Sequence, residues 1–135
     1  LYGLPERLLE KRIDCCLAEF DFEKESLKLF RDYSAGMRKK LTVIRALLHS
    51  PEILLLDEIT NSLDQESSEK IKSIIKKYVC AASNRAAIWS THRLEEINQL
   101  SDQVLMIKHG QVVFLGDAGQ FSYYLKKEKQ LSIAM

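Results

Sequence analysis

The sequence predicts an α/β fold in which helices flank a parallel sheet, and three observations lead to this prediction. Two apolar runs, Ile53 to Leu56 and Ala86 to Trp89, have the length and composition of buried strands. Between them, apolar residues recur at helical spacing after Asp64, which is a suitable N-cap. Because the order is strand, helix, strand, the two strands are expected to lie parallel. The predicted apolar stripe of the intervening helix is Ile71, Ile74, Ile75, Tyr78 and Val79.

The segment before the first strand is predicted to be helical. Pro5 stands where a first-turn proline is common, and apolar residues follow at helical spacing as far as Phe20. Residues 21–32 are polar with scattered apolar side chains, which predicts a short helix or a turn. Ser34 is a suitable N-cap for a helix that continues through Leu48, and Pro51 separates this helix from the strand.

The C-terminal segment predicts a short helix, a hairpin and a last helix. The short helix spans Arg93 to Leu100. Two strands, Val104 to Ile107 and Val112 to Leu115, flank a hairpin-like turn at 108–111. The last helix is predicted over Gly116 to Leu125, with a lysine-rich tail that frays beyond it.

Length and charge narrow the classes of function. The chain has 135 residues, which suits one domain. Its 20 basic and 19 acidic residues give a net charge of +1, so no overall field favours nucleic acid or an anionic membrane. Its apolar runs are too short to cross a bilayer. The chain begins with Leu1 rather than Met, which leads us to expect a fragment.

The pair Asp57–Glu58 is the most informative feature, because two carboxylates directly follow an apolar run. An unpaired carboxylate is costly to desolvate, and a metal ion with bound phosphates would compensate for that cost. At phosphoryl-transfer sites, one acid at a strand end holds Mg²⁺ and a second orients the attacking water. Asp57 suits the first role and Glu58 the second. The alternative is that the pair simply begins a loop.

A second candidate site is the start of the helix after Tyr33. Ser34 and Gly36 are small residues that leave backbone N–H groups open to an anion, where a terminal phosphate would meet the positive end of the helix dipole. The alternative is an ordinary N-cap followed by three solvated basic residues, Arg38, Lys39 and Lys40.

Two shorter elements follow the strands. Asn61 to Asp64 form a polar loop directly after the acids, which either carries signals between sites or simply turns into the capped helix. His92 follows the second strand, where a histidine can hydrogen-bond a phosphate and report its presence. The alternative for His92 is an ordinary loop residue.

The order and spacing of these four elements resemble the C-terminal portion of an ATP-binding cassette (ABC) transporter nucleotide-binding domain. Tyr33 to Met37 is similar to the signature L-S-G-G-Q, and Leu54 to Glu58 is similar to the Walker B motif. Asn61 to Asp64 resembles the D-loop, and His92 resembles the switch histidine. The Y-S-x-G-M form of the signature is most similar to exporter-type members. The chain contains no G-x-x-x-x-G-K-[ST] phosphate loop.

The resemblance implies the C-terminal part of a phosphate-loop NTPase fold, together with a piece of the helical signature subdomain. On this basis residues 1–48 are the helical signature region, and residues 49–117 carry the Walker B motif, the D-loop and the switch histidine. Residues 118–135 are the C-terminal helix and tail. The whole chain is then one partial nucleotide-binding domain that lacks its Walker A half.

The resemblance also implies the site residues and the cofactors ATP and Mg²⁺. Glu58 and His92 are the implied catalytic residues, and Asp57 is the implied magnesium ligand. The residues implied to bind the nucleotide are Tyr33, Ser34, Ala35, Gly36, Met37 and Asp64. The signature would close over ATP held by a facing domain, whereas Asp57, Glu58 and His92 would act on nucleotide held by their own domain.

The implied partners are a second nucleotide-binding domain, identical or different, and transmembrane permease subunits that contact the region containing Leu4 to Phe20. The implied location is cytoplasmic and peripheral, on the inner face of the cell membrane. The resemblance implies that the intact protein is an ATPase that powers transport, with an exporter implied by the form of its signature. This chain alone is expected to be inactive.

Two other classes of protein share parts of this pattern. A chromosome-maintenance or DNA-repair ATPase has a similar C-terminal lobe, but that alternative predicts heptads that enter Leu1 and a basic DNA-binding face. The chain itself is charge-balanced and has no sustained heptads, and the region upstream of Leu1 would decide between the two classes. A non-catalytic lobe would lend only a signature surface to another subunit. The presence of Asp57, Glu58 and His92 weighs against that second alternative.

Overall fold

The computed structural model describes the backbone of residues 5–133 and the side chains of residues 5–127. Two compact units divide between Ser90 and Thr91, and they are called here the first and the second unit. Within the described part of the chain, no helix is both long and apolar enough to cross a membrane. Leu4, where the predicted permease contact begins, lies outside the described residues.

The helices of the first unit lie where the sequence predicts them. Helix α1 spans Glu6–Glu19, which is about four turns. Two single 3₁₀ turns, Glu25–Leu27 and Phe30–Asp32, follow in the segment predicted as a short helix or turn. Helix α2 spans Ala35–Leu47 and begins at the predicted N-cap, Ser34.

Two parallel strands and a crossover helix complete the first unit. Strand β1 spans Ile53–Asp57, helix α3 spans Gln65–Cys80, and strand β2 spans Ala86–Ser90. The strands pair in parallel, and their last residues, Asp57 and Ser90, are register partners. This confirms the predicted parallel pairing and brings two polar side chains to the carboxyl edge of the sheet.

The core of the first unit lies between the helices and one face of this sheet. Phe20 and Ile71 are fully buried, and Leu54 and Leu56 face them from β1. The other buried members are Phe22, Tyr33, Val43, Ile44, Leu47, Ile59, Ile74 and Ile75. The predicted stripe of α3 is thus confirmed in its first three members, whereas Tyr78 and Val79 are only partly buried.

The prediction that both strands are buried is wrong for one face of the sheet. In β1 burial alternates, so Leu54 is 3% exposed whereas Leu55 is 75% exposed. In β2 no residue is fully buried, and Ile88, the register partner of Leu55, is 64% exposed. Apolar composition favoured burial on two faces, but the described chain supplies helices to only one of them.

The second unit contains two helices and an antiparallel hairpin. Helix α4 spans Leu94–Leu100, and strands β3 and β4 span Val104–Lys108 and Gln111–Gly116. A two-residue turn joins the strands, and both of its residues, His109 and Gly110, have positive φ. This is the backbone that a type I′ hairpin turn requires, and it confirms the predicted hairpin.

Helix α5 spans Ala118–Ile133, so it continues well past the predicted end at Leu125. The predicted end at Leu125 is therefore wrong, since the backbone of the lysine-rich tail is helical as far as Ile133. The helix packs on the hairpin through aromatic rings, since Phe114 lies 5.2 Å from both Phe121 and Tyr124 between ring centroids. This tertiary contact stabilises a helix whose sequence pattern weakens after its first turns.

Candidate functional site

The first group of site residues meets at the carboxyl edge of the β1–β2 sheet. The hydroxyl of Ser90 donates to Oδ1 of Asp57, and Oγ of Ser90 accepts from the backbone N–H of Glu58 at 3.1 Å. The Glu58 N–H also faces the Ser90 carbonyl at 3.2 Å. Ser90 therefore holds both predicted acids at one place. Sequence analysis missed this role of Ser90, because it depends on the pairing of Asp57 with Ser90 in the parallel sheet.

Glu58 occupies a tight turn directly after the strand. Its φ is 43°, an unusual value for a residue with a side chain. Its carbonyl accepts from the N–H of Asn61 at 3.0 Å, and its Oε2 accepts from Nδ2 of Asn61 at 3.1 Å. The carboxylate is exposed, so the turn presents it to solvent or to a ligand.

The D-loop-like segment leads from this turn into α3. Ser62 has a φ of 61°, and Asp64 is the N-cap of α3, accepting from the Ser67 N–H at 2.8 Å. This hydrogen bond holds the pKa of the Asp64 carboxyl below its usual value. The structure therefore confirms the capping role of Asp64. Its predicted contact with nucleotide stays a prediction.

The signature-like segment combines a buried aromatic residue with an exposed helix start. Tyr33 is 8% exposed and meets the ring of Phe22 edge-on at 5.5 Å between centroids. Ser34 is exposed, and its Oγ accepts from the N–H of Met37 at 3.2 Å. The hydroxyl proton of Ser34 is still available as a donor. Because its ring is buried against Phe22, Tyr33 is placed to support the signature-like segment by packing, and its predicted contact with nucleotide stays a prediction.

A cavity of ≈ 410 Å³ lies between the start of α2 and the D-loop-like segment. It is lined by Ser34, Ala35, Gly36 and Met37 from one side and by Ser62, Leu63, Asp64 and Ser67 from the other, with Asp21, Phe22, Glu25 and Lys40. Lys70 bonds the Asp21 carboxylate at 2.8 Å and lowers its pKa. The structure thus brings five of the six predicted nucleotide contacts to one cavity.

Lys39 connects the two halves of this site. Its Nζ donates to the Glu58 carbonyl at 3.2 Å and also to the carbonyl of Asn61. Lys39 is half-buried, so it combines these two contacts with partial exposure to solvent. Sequence analysis missed the contact because the partners lie 19 and 22 residues away along the chain.

His92 is the second residue of the second unit and is exposed. Its neighbour Thr91 donates to Oε2 of Glu96 at 2.7 Å and accepts from the Arg93 N–H at 3.0 Å. These bonds set the local backbone at the start of α4. The predicted catalytic role of His92, and its approach to Asp57 and Glu58, stay predictions.

The donor set at the strand edge suits a hydrated magnesium ion. Asp57 offers an exposed carboxylate whose Oδ1 is oriented by Ser90. Among the described residues, no group of three or more His, Cys, Asp or Glu side chains is arranged to hold a metal. A single oriented carboxylate fits Mg²⁺, which keeps several waters and takes further oxygens from phosphates.

Comparison with known proteins gives the family. The sequence model described as "ABC transporter" matches residues 9–61. The chain is 34% identical to the ABC transporter ATP-binding protein NatA of Bacillus subtilis over 86% of this chain and 46% of that protein. It is 32% identical to the Nod factor export ATP-binding protein I of Cupriavidus pinatubonensis, over 85% of this chain and 35% of that protein.

A solved structure of an ATP-binding subunit of an ABC transporter has a TM-score of 0.79 with this chain at 23% identity. The match covers 93% of this chain and 51% of that one. This likeness confirms the predicted fold class. The chain is a partial ATP-binding domain of the ABC transporter family. It spans about half or less of the length of the relatives it matches.

Proposed function

We propose that this chain is the C-terminal part of the ATP-hydrolysing subunit of an ABC transporter that works as an exporter. The observation that supports the proposal is the strand-edge arrangement, in which Ser90 holds the adjacent acids Asp57 and Glu58 at one place. Two observations favour export. The signature has the Y-S-x-G-M form at Tyr33 to Met37, and one relative is named as a Nod factor export ATP-binding protein.

In the proposed reaction each residue has a definite task. Bound Mg²⁺ would neutralise charge on the β- and γ-phosphates of ATP. Asp57 would hold the water shell of that ion through its oriented carboxylate. Glu58 would accept a proton from the attacking water, whose oxygen bonds to the γ-phosphorus as the bond to the β-phosphate bridging oxygen breaks. ADP and phosphate leave, and His92 would hydrogen-bond the transferred phosphoryl group.

The signature would serve ATP that is held by a facing nucleotide-binding domain. The Ser34 hydroxyl and the N–H groups of Ala35 and Gly36 are suitable donors to a γ-phosphate, because the first amides of a helix have no intrahelical partner. A Cβ on Gly36 would meet the Leu63 Cδ2 atom at 3.5 Å, an ordinary contact. Packing within the chain therefore does not require glycine at position 36, whereas close approach of a phosphate would.

A further segment must supply the phosphate loop. We propose that it packs on the exposed apolar face of the sheet formed by Ile53, Leu55 and Ile88, which are 62%, 75% and 64% exposed. Parallel sheets are ordinarily covered on both faces. Permease subunits would complete the transporter and keep the domain at the cytoplasmic face of the membrane.

The test uses the complete protein with its permease partners. We expect Glu58→Gln to preserve Mg·ATP binding, measured by calorimetry, and to lower turnover by about a hundredfold or more, because the proton acceptor is lost. Glu66→Gln is the matched control, since Glu66 is an exposed carboxylate in the first turn of α3. Undiminished hydrolysis by Glu58→Gln would remove Glu58 from the role of base.

The isolated 135-residue chain provides the second part of the test. We expect it to bind Mg·ATP weakly or not at all, because it lacks a phosphate loop. Tight binding by this chain in the same calorimetric titration would contradict the proposed division of labour between the two halves of the domain.

A further inference from the structure

The turn that carries Glu58 has a backbone that needs support. Both Glu58 and Ser62 have positive φ, at 43° and 61°, a left-handed backbone that is strained for a residue with a side chain. Such backbone persists where surrounding contacts determine it. The turn is anchored beneath by Ile59 and Thr60, which are 9% and 2% exposed.

Lys39 supplies further contacts to the turn. Its ammonium group donates to the carbonyls of Glu58 and Asn61, which are the first and last residues of one hydrogen-bonded turn. A charged donor forms stronger hydrogen bonds than a neutral one. Lys39 lies on α2, five residues after Ser34, so the same helix start that presents the signature also binds the turn.

We propose that Lys39 is a positioning residue for ATP hydrolysis, which clamps the backbone of the Glu58 turn to the signature helix and so aims the Glu58 carboxylate. This inference rests on the proposed function of the site. Under that proposal Glu58 and Ser34 serve two different ATP molecules. Lys39 then ties together, within one domain, groups that belong to two nucleotide sites.

The test compares Lys39→Met, Lys39→Arg and the control Lys76→Met in the complete protein. Lys76 is an exposed lysine on α3, so its replacement makes the same chemical change away from the turn. We expect Lys39→Met to lower kcat about tenfold while KM for ATP changes less than about twofold, because the base is misaimed but binding groups remain. Lys39→Arg should recover part of the lost kcat, since arginine keeps the charge and N–H donors but presents them on a larger, planar group.

Hydrogen exchange gives a readout that does not depend on activity. The Asn61 amide, which bonds the Glu58 carbonyl, should exchange at least about tenfold faster in Lys39→Met, whereas the Ile75 amide in α3 should be unchanged. Faster exchange at both amides would indicate general destabilisation and would overturn the positioning role. A kcat equal to that of Lys76→Met would overturn it as well.

The Glu58→Gln variant, assayed in parallel, separates the two proposals. If Glu58→Gln abolishes turnover while Lys39→Met leaves kcat unchanged, the clamp is rejected and the proposed function stands. If Glu58→Gln hydrolyses ATP at the normal rate, the proposed function itself is rejected. A rise in KM with unchanged kcat in Lys39→Met would assign Lys39 to nucleotide binding and reject the clamp.

Discussion

The two faces of the β1–β2 sheet carry similar apolar side chains in opposite surroundings. Leu54 is 3% exposed beneath the helices, whereas its neighbour Leu55 is 75% exposed on the other face. Because successive residues of a strand point to opposite faces, composition cannot distinguish the two leucines. The difference shows that the described chain covers one face only and leaves apolar side chains exposed on the other.

Substitution of the two leucines gives the largest expected difference. We expect Leu54→Ala to lower the free energy of unfolding of the 135-residue chain by about 3 kcal/mol, because it removes buried methyl groups and leaves a cavity. Leu55→Ala should change it by no more than about 0.5 kcal/mol, as is usual for exposed positions. Urea denaturation followed by the fluorescence of Trp89 measures both values. Equal losses for the two variants would contradict the comparison.

In the complete protein, substitutions on the two faces of the sheet should have more similar effects on the free energy of unfolding. If a further segment covers Leu55 there, Leu55→Ala should cost about 2 kcal/mol in the complete protein, against the small change in the chain alone. The measurement is the same denaturation series on both lengths of protein. If Leu55→Ala leaves the free energy of unfolding of the complete protein unchanged, the proposal that a further segment covers this face is rejected.

Acid should lower the stability of the first unit by protonating two carboxylates, those of Asp64 and Asp21, which do not belong to the sheet. The pKa of Asp64 is lowered by the Ser67 N–H, and that of Asp21 by its hydrogen bond with Lys70. A lowered folded pKa stabilises the fold above the unfolded value of about 4, and that contribution is lost as pH falls through the folded pKa. The urea midpoint should therefore decrease as the pH is lowered from about 5 to about 3.

Asp64→Asn sharpens this last prediction because asparagine keeps a good N-cap but does not titrate. We expect the midpoint of this variant to fall less over the same pH range than that of the wild-type chain. An identical pH profile would show that the Asp64 carboxylate does not contribute to the acid sensitivity. The effect is the smallest of those predicted, since both carboxylates are exposed to solvent.

Much of the local structure could be predicted from neighbouring residues. The caps Ser34 and Asp64, the helical stripe that begins at Ile71 and the two-residue turn at His109 and Gly110 all depend on residues close together in the chain. Short-range hydrogen bonds and side-chain periodicity determine such features, so a sequence carries them directly. The adjacency of Asp57 and Glu58 was equally visible, as was their place at a strand end.

Contacts between distant residues could not be predicted in the same way. The Ser90 bridge depends on a strand partner 33 residues from Asp57, and the Lys39 clamp depends on how α2 packs against the turn. Tyr33 belongs to a motif by its position, yet the tertiary structure buries it against Phe22. A motif specifies residue order, whereas packing decides which side chains are exposed and what they contact.

The sequence by itself determined the order of helices and strands, the helix caps, the hairpin turn and the family motifs, because each depends on residues near one another in the chain. Only the tertiary structure decided which face of the sheet is covered, which hydroxyl orients Asp57 and which lysine binds the Glu58 turn. Those outcomes depend on the register and packing of separate elements, and no local pattern specifies them.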